Sequence, residues 1–448
     1  MAKITVDFDK EIGKIKPLHG IGQPPMVRVN QRVDTTAFRL LKDAGIPYSR
    51  LHDVGGAYGN NRFVDIPNIF RDFSKDPYDE KSYHFAFTDI LIKDLMENDC
   101  EPVFRLGVTI ENQSMIEAFN ILPPEDFKKW AIVCEHIIKH YTQGWANGFN
   151  YDIKYWEIWN EPDNHDDIKQ NQMWLGTKEQ YFELYDVASK HLKEKFPHLK
   201  IGGYGSCGFY MVVPDVKEGL NPAAHGRYSY FIEFFEDFMK FAKENKCPMD
   251  FFSFHAYGAE KGIPEYASYC RKALDDAGYK DTEMHLNEWN AGAEFFATGK
   301  QTAIVMKVLV EMQHSAIDAA MIYDGRFGMG AGVYAPIFGD KTKNSSPDLG
   351  DRIAPLPLYY GFMAYNELYK RQNEVFATCD DQNLCVIAAK GEDGAILIAN
   401  PTDNYVDLEF DCNLPLGDFF ITEDELKMSY CPRRTKIQPN ALLLIKTK

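Results

Sequence analysis

The sequence predicts an α/β fold: a (β/α)8 TIM barrel followed by a small C-terminal antiparallel β-sandwich. Short apolar runs alternate with longer amphipathic stretches from about Ile15 to Tyr323. Such alternation points to a parallel sheet, and the eight runs present are the number that closes a barrel. Several runs are apolar in the middle yet end in polar or charged residues, as in SRLHD, VFRLG, WEIWNE, FFSFHAY, MHLNE and AMIYDGR. A purely structural strand has no need of Asp, Glu, His or Arg at its carboxyl end, whereas a barrel builds its site at that face.

In chain order the expected strands are Pro17–Gly22, Tyr48–Asp53, Pro102–Gly107, Ile153–Asn160, Leu199–Tyr204, Asp250–Ala256, Glu283–Glu288 and Ala319–Tyr323. Helical spacing falls between them over Ala86–Asn98, Pro124–Tyr141, Lys178–Phe196, Tyr228–Asn245 and Thr302–Ser315. After about Pro355 the pattern changes. A helical stretch around Leu358–Tyr369 leads into short strands at Glu374–Thr378, Cys385–Ala389, Ala395–Ile398, Val406–Phe410, Phe419–Thr422 and Leu442–Lys446. Turn signals such as GEDG and NPTDN separate them. The expected domains are a barrel over 15–355 and a β-sandwich over 356–448, joined by the opening strand within 1–14.

Composition narrows the partners. The 448 residues suit a barrel plus one small domain. A formal net charge of −17 argues against a general nucleic-acid or anionic-membrane surface, since both need clustered Lys and Arg. No run approaches the ~18 apolar residues of a membrane span, and the start MAKITVDFDKEIGK lacks an apolar signal-peptide core. The nine cysteines are scattered, with no CxxC pair, so neither a zinc site nor a disulfide framework is indicated. A cytoplasmic chain with reduced thiols is the expectation.

The segment YWEIWNEPD, Tyr155 to Asp163, reads as a buried strand that stops at Asn-Glu-Pro. Proline cannot continue a ladder, and it biases Glu161 toward an extended backbone. A carboxyl held beside Trp159 is expected to be partly desolvated, with the raised pKa that suits a general acid. Glu157 faces the same side but lies deeper, which suits a structural hydrogen-bonding role. A second segment, MHLNEWN, ends its strand with Glu288 beside Trp289. Fourth and seventh strands lie on roughly opposite sides of an eight-stranded ring, so the two carboxylates can face each other across its mouth. Such pairs perform glycoside hydrolysis, about 5–5.5 Å apart in retaining enzymes and about 6.5–9.5 Å apart in inverting ones. Spacing along the chain does not measure that gap.

WEIWNEPD followed by MWLGTKEQYFELYDVASKHLKEKFPHLKIGGYG resembles glycoside hydrolase family 39, which holds β-xylosidases and α-L-iduronidases. DFFSFHAYG and HLNEWN fall where that family has its sixth and seventh strands. The resemblance runs from about Pro17 to Tyr369. Asn-Glu-Pro is shared by a large clan of barrel glycosidases, whereas W-x-GT-x-x-x-Y-F-x-L-Y is more diagnostic of the family. It implies a retaining hydrolase of plant-type oligosaccharides, β-xylosidase-like, with Glu161 as acid/base and Glu288 as nucleophile. The alternatives are an arabinose-releasing, β-glucosidase, galactosidase or iduronidase-like enzyme, or a non-catalytic carbohydrate-binding chain.

The supporting residues follow. Asn160 is expected to donate to the sugar 2-hydroxyl. His255 and Tyr257 end the sixth strand, and in similar enzymes such a tyrosine donates to the nucleophile; His255, and Trp289 after the seventh strand, are further expected substrate-binding residues. His52 and Asp53 match positions that grip the non-reducing sugar. Asp324 and Arg326 form either a plain ion pair or a contact to the sugar, and Arg105 serves either as scaffold or as ligand. The loop Asp53–Asp79 departs from the β-xylosidase pattern and is expected to line the substrate entrance. No cofactor or metal is implied. The expected partners are an oligosaccharide and further copies of the chain, with no nucleic acid and no membrane.

Weaker signals carry little. His136 and His140 lie four apart on a helix without a zinc-site carboxylate motif. GIGQPP lacks a dinucleotide fingerprint, and neither a phosphate-binding GxxxxGK[ST] loop nor a nucleophile elbow is present.

Overall fold

The computed structural model describes residues 1–29, 32–54, 64–110, 121–258, 261–326, 336–340, 353–422 and 428–448. After β1 (Ala2–Lys14), eight strands form a closed barrel. They are β2 (Gly20–Gly22), β3 (Tyr48–Leu51), β4 (Glu101–Leu106), β5 (Tyr155–Ile158), β6 (Lys200–Gly202), β7 (Phe251–Tyr257), β8 (Glu283–Asn290) and β9 (Ala319–Ile322). The order around the ring is β8-β9-β2-β3-β4-β5-β6-β7. Parallel strands covered on both faces need continuous apolar runs rather than alternation, and FFSFHAY in β7 is buried at every position but its last.

Among the described residues a main helix follows each barrel strand: α1 (Arg39–Ala44), α2 (Ala86–Glu97), α3 (Phe127–Thr142), α4 (Lys178–Lys195), α5 (His225–Asn245), α6 (Ile263–Ala277), α7 (Gly299–Gln313) and α8 (Pro357–Arg371), with short helices at Ile66–Ile69 and Pro214–Gly219 ahead of α2 and α5. Sequence spacing shows neither α1 nor α6. Six residues are too few to display a 3.6-residue period, and α6 opens on Pro264, a breaker in the interior yet tolerated in a first turn. Elsewhere the starts are written locally. Asp126 accepts from Lys129 N at the head of α3, and Thr177 with Gln180 forms a capping box on α4.

The chain divides into two compact units, 48–256 with 264–288, and 1–47 with 257–263 and 289–448. In the first, parallel register pairs Leu51 with Phe104 and Leu106 with Ile158. Trp159 N donates to Leu106 O at 2.8 Å, so adjacent strands end at matched heights.

The other unit holds a nine-stranded sheet. Its further strands are β10 (Asn373–Cys379), β11 (Cys385–Lys390), β12 (Gly394–Asn400), β13 (Val406–Cys412), β14 (Leu416–Thr422), β15 (Ser429–Cys431), β16 (Lys436–Ile437) and β17 (Ala441–Thr447), in the order β15-β14-β17-β12-β11-β10-β1-β13-β16. The sheet is mixed where a wholly antiparallel sandwich is expected. Strand β1 enters between β10, antiparallel with Ile4 opposite Cys379, and β13, parallel with Ile4 opposite Phe410. Ile4, Val6, Phe8, Ile396, Ile398, Leu443 and Ile445 share one apolar cluster, while α7 and α8 pack on β11 and β12.

Candidate active site

Strand β5 supplies the first carboxylate. Its residues Trp156, Glu157 and Ile158 are buried, and so are Trp159 and Asn160 beyond it. The indole N–H of Trp159 donates to Met173 O at 2.9 Å, and its ring meets Trp174 edge-on at 5.1 Å. The backbone then turns hard. Trp159 has φ of 72° and Glu161 φ of 46°, both in the left-handed region that ordinary residues avoid. The expectation of an extended Glu161 before Pro162 is therefore corrected. Two bonds from Glu161 N, to Tyr204 O at 3.2 Å and Gly205 O at 3.0 Å, override the local proline preference.

Arg50, at 1% exposure, is the hub of the site. Its Nε donates to Glu157 Oε2 at 2.7 Å, its Nη1 to Glu288 Oε1 at 2.7 Å and its Nη2 to Asn160 Oδ1 at 2.6 Å. One guanidinium thus fixes side chains from β5 and β8 as well as its own β3. Glu157 completes its shell with donors from Ser253 Oγ and Asn287 Nδ2, both at 2.6 Å, which makes it a satisfied structural carboxylate.

His255 joins the two remaining carboxylates. Its Nδ1 lies 2.7 Å from Glu161 Oε1 and 3.6 Å from Glu288 Oε2. Burial works against a charged imidazole, yet Glu288 and Glu161 outweigh it and raise the His255 pKa. Burial likewise pushes the Glu161 carboxyl up, but bonds from His255 and Asn164 pull it below the usual carboxylate range. Desolvation beside Trp159 alone predicts the opposite direction.

His52 and Asp53 follow β3. His52 Nε2 lies 3.2 Å from Asp53 Oδ1, and burial holds the imidazole neutral. Its Nδ1 is buried with no hydrogen-bond partner among the described residues. Asp53 also accepts from Ile110 N at 3.3 Å. Residues 55–63 of the expected entrance loop lie outside the described residues. Arg105 is fully buried and pairs with Asp65 Oδ1 at 2.6 Å.

The structure therefore brings together Glu161, Glu288, Asn160, His255, His52 and Asp53. Tyr257, Trp289, Asp324 and Arg326 belong to the other unit and group around Tyr323. The Tyr257 and Tyr323 rings meet edge-on at 6.0 Å, and Trp289 O accepts from Tyr323 N at 2.8 Å. Arg326 pairs with Asp324 through Nε at 2.6 Å and through its own backbone N at 2.8 Å, and its Nη2 donates to Tyr323 Oη at 3.2 Å. One oxygen of Glu161, one of Glu288 and a His255 ring nitrogen lie within 4.8 Å of one another, a grouping a metal could use. Arg50 already neutralises Glu288 and His255 already engages Glu161. His136 and His140 bond to Ile132 O and Trp145 O, with Asp89 on the second ring nitrogen of His140.

Sequence reasoning missed Arg50 and Asn164. An arginine inside the buried run SRLHD was a usable signal for the first, because a charge in a barrel strand needs partners. Nothing in the residues after Asn-Glu-Pro singled out Asn164.

Comparison with known proteins identifies the family. The model of glycosyl hydrolases family 39 matches residues 3–321. A β-xylosidase from Geobacillus stearothermophilus is 26% identical over 225 residues, 48% of this chain and 39% of that protein. A β-xylosidase from Caldicellulosiruptor saccharolyticus is 24% identical over 318 residues, 64% of this chain and 55% of that protein. The chain thus spans 39% and 55% of these relatives' lengths. In fold, a glucosidase from Croceicoccus marinus superposes with a TM-score of 0.74 at 20% identity, covering 100% of this chain and 99% of its own. The chain belongs to glycosyl hydrolases family 39.

Proposed function

We propose that this chain is a retaining, exo-acting glycosidase of β-xylosidase type, with Glu288 as nucleophile and Glu161 as acid/base. The carrying observation is the closeness of Glu161 and Glu288, one oxygen of each lying within 4.8 Å of the other around one imidazole. An approach of one oxygen from each carboxylate to this distance supports the retaining spacing of about 5–5.5 Å over the inverting one of about 6.5–9.5 Å. Arg50 donates to Glu288 and aims it, as a nucleophile requires. Glu161, held by His255 at Oε1, protonates the leaving oxygen while Glu288 bonds to the anomeric carbon. Glu161 then draws a proton from water, whose oxygen displaces Glu288. Asn160, held by Arg50, faces the 2-hydroxyl, and His52 with Asp53 grips the sugar. The relatives named as β-xylosidases support the sugar class. The nine cysteines are free thiols, which fits a reducing compartment such as the cytoplasm. No described helix is long and apolar enough to cross a membrane.

The test is turnover of aryl xyloside, arabinoside, glucoside, galactoside and iduronide, with Glu288→Ala as control. The xyloside should be hydrolysed, with the first-formed sugar retaining its anomeric configuration by proton NMR, and the control should be silent. Inverted product would sink the double-displacement reading. Silence across the panel would shift the assignment toward a longer oligosaccharide or a binding role.

A further inference from the structure

Three residues beyond Glu161, the loop after β5 is pinned from two sides. The side-chain amide of Asn164 donates to Glu161 Oε2 at 3.1 Å and lies 3.7 Å from the Cys207 sulfur. Its backbone carbonyl accepts from Arg227 Nε at 2.7 Å. Arg227 sits in the first turn of α5, and its guanidinium lies 5.5 Å from the centre of the Phe231 ring. The neighbouring Asp163 is locked as well, accepting from Ser206 Oγ at 2.7 Å and Cys207 N at 3.2 Å. Asn164 is itself 5% exposed, so water does not readily replace its amide.

The two oxygens of Glu161 therefore have separate holders, His255 at Oε1 and Asn164 at Oε2. A carboxylate with one anchor turns about its last torsion. With two it is confined to one plane, as an acid aimed at a leaving oxygen must be. We propose that Asn164 and Arg227 form a positioning pair, in which Arg227 fixes the loop and Asn164 orients Glu161 and sets the pH at which it gives up its proton. This inference rests on the glycosidase reading above. Neither residue touches the reacting atoms; both act through Glu161.

The charges facing Glu161 are His255 on β7, Glu288 behind it on β8, Asp163 on the same loop and Arg227 on α5, together with the Cys207 thiol. Burial pushes Asp163 up to about 7, with the Glu161 charge adding to it. Donors to a carboxylate favour its charged form, so deleting the Asn164 amide raises the pH at which Glu161 loses its proton.

The experiment is the pH profile of kcat/KM on an aryl glycoside with a poor leaving group, for the wild type, Asn164→Ala, Asn164→Asp and Arg227→Met. In Asn164→Ala the basic limb should move up by about half a unit or more, with kcat on that substrate falling about tenfold and activated aryl glycosides spared. Asn164→Asp keeps the shape but replaces a donor with a like charge, so it should move the limb further than alanine. A space-filling role predicts the reverse, with Asn164→Asp close to wild type. Arg227→Met keeps the stem against Phe231 and should shift the limb the same way, less than additively with Asn164→Ala. A limb that stays in place in folded Asn164 variants overturns the proposal. Glu161→Ala must itself abolish the limb, and if it does not, the acid/base reading falls and this inference with it. Infrared titration of the Glu161 carboxyl, identified by difference from Glu161→Gln, reads the same shift without turnover. An upward shift there sustains the pair even if the panel substrates are inert, and no shift refutes it.

Discussion

The guanidinium of Arg50 meets the carboxylate of Glu288 at 2.7 Å, with side chains 1% and 6% exposed. Removing a buried charge is costlier than the pair is worth, because the partners are left unsatisfied. Arg50→Met strands Glu157 and Glu288 together, so unfolding free energy should drop by about 3–5 kcal/mol in urea titration. Arg50→Lys should lose less stability but nearly as much activity, since one ammonium cannot reach Glu157, Asn160 and Glu288 at once. Equal kcat/KM for Arg50→Lys and wild type would contradict the aiming role.

Leaving-group chemistry separates the carboxylates. Glu161→Ala should cost about 10²–10⁴ in kcat/KM on alkyl and sugar leaving groups, and little on dinitrophenyl glycosides that depart unassisted. Glu288→Ala should be inactive on both. The comparison is made by steady-state kinetics across a leaving-group series. A flat response in Glu161→Ala would move the acid role to another group.

Gly205 marks how tightly the site is packed. Its φ is 65°, and a Cβ there would lie 3.1 Å from Arg50 Nη2, 3.2 Å from Asn160 Oδ1 and 3.2 Å from His255 Nε2. Its carbonyl also accepts from Glu161 N at 3.0 Å. Gly205→Ala combines a left-handed backbone cost of about 1–2 kcal/mol with displacement of three site residues. Stability should fall by roughly that amount and kcat by about tenfold or more, since small misplacements at such sites are costly. A variant with wild-type kcat would show that these side chains yield freely.

Much of this was legible beforehand because the barrel repeats one physical unit. Each buried run needs apolar residues along its length, so YWEIW and FFSFHAY announce strands, and the carboxyl-end residues Glu161, Glu288, His255 and His52 announce the site. What escaped was set by the third dimension. The left-handed φ of Glu161 comes from carbonyls after β6 on another strand, against the preference Pro162 imposes. The direction of its pKa is set by His255, 94 residues away, rather than by the tryptophan beside it. Strand β1 runs parallel to β13, a pairing across about 400 residues that no local pattern encodes. Asp324 and Arg326, two apart, form an ion pair, one of the two roles the sequence allowed them.

His19 predicts how stability depends on pH. It is fully buried just before β2, its Nε2 donates to Gly45 O at 3.0 Å, and the rings of Tyr365 and Tyr369 lie 5.2 Å away. Burial lowers its pKa to about 4 from 6.5, with the bonds to Asn366 and Gly45 opposing only in part. Between those values the unfolded chain binds a proton that the folded chain refuses, so stability is present above the unfolded pKa and lost as pH falls toward the folded one. A full loss amounts to about 3 kcal/mol. His19→Gln should be less stable at pH 7, because its packing is poorer, but should decline less steeply from pH 6.5 to 4.5. Urea unfolding of both proteins across that window isolates the histidine from the carboxylates, which titrate alike in the two chains. Parallel declines would mean that His19 takes up its proton without unfolding, and that the buried ring has access to a neutralising partner.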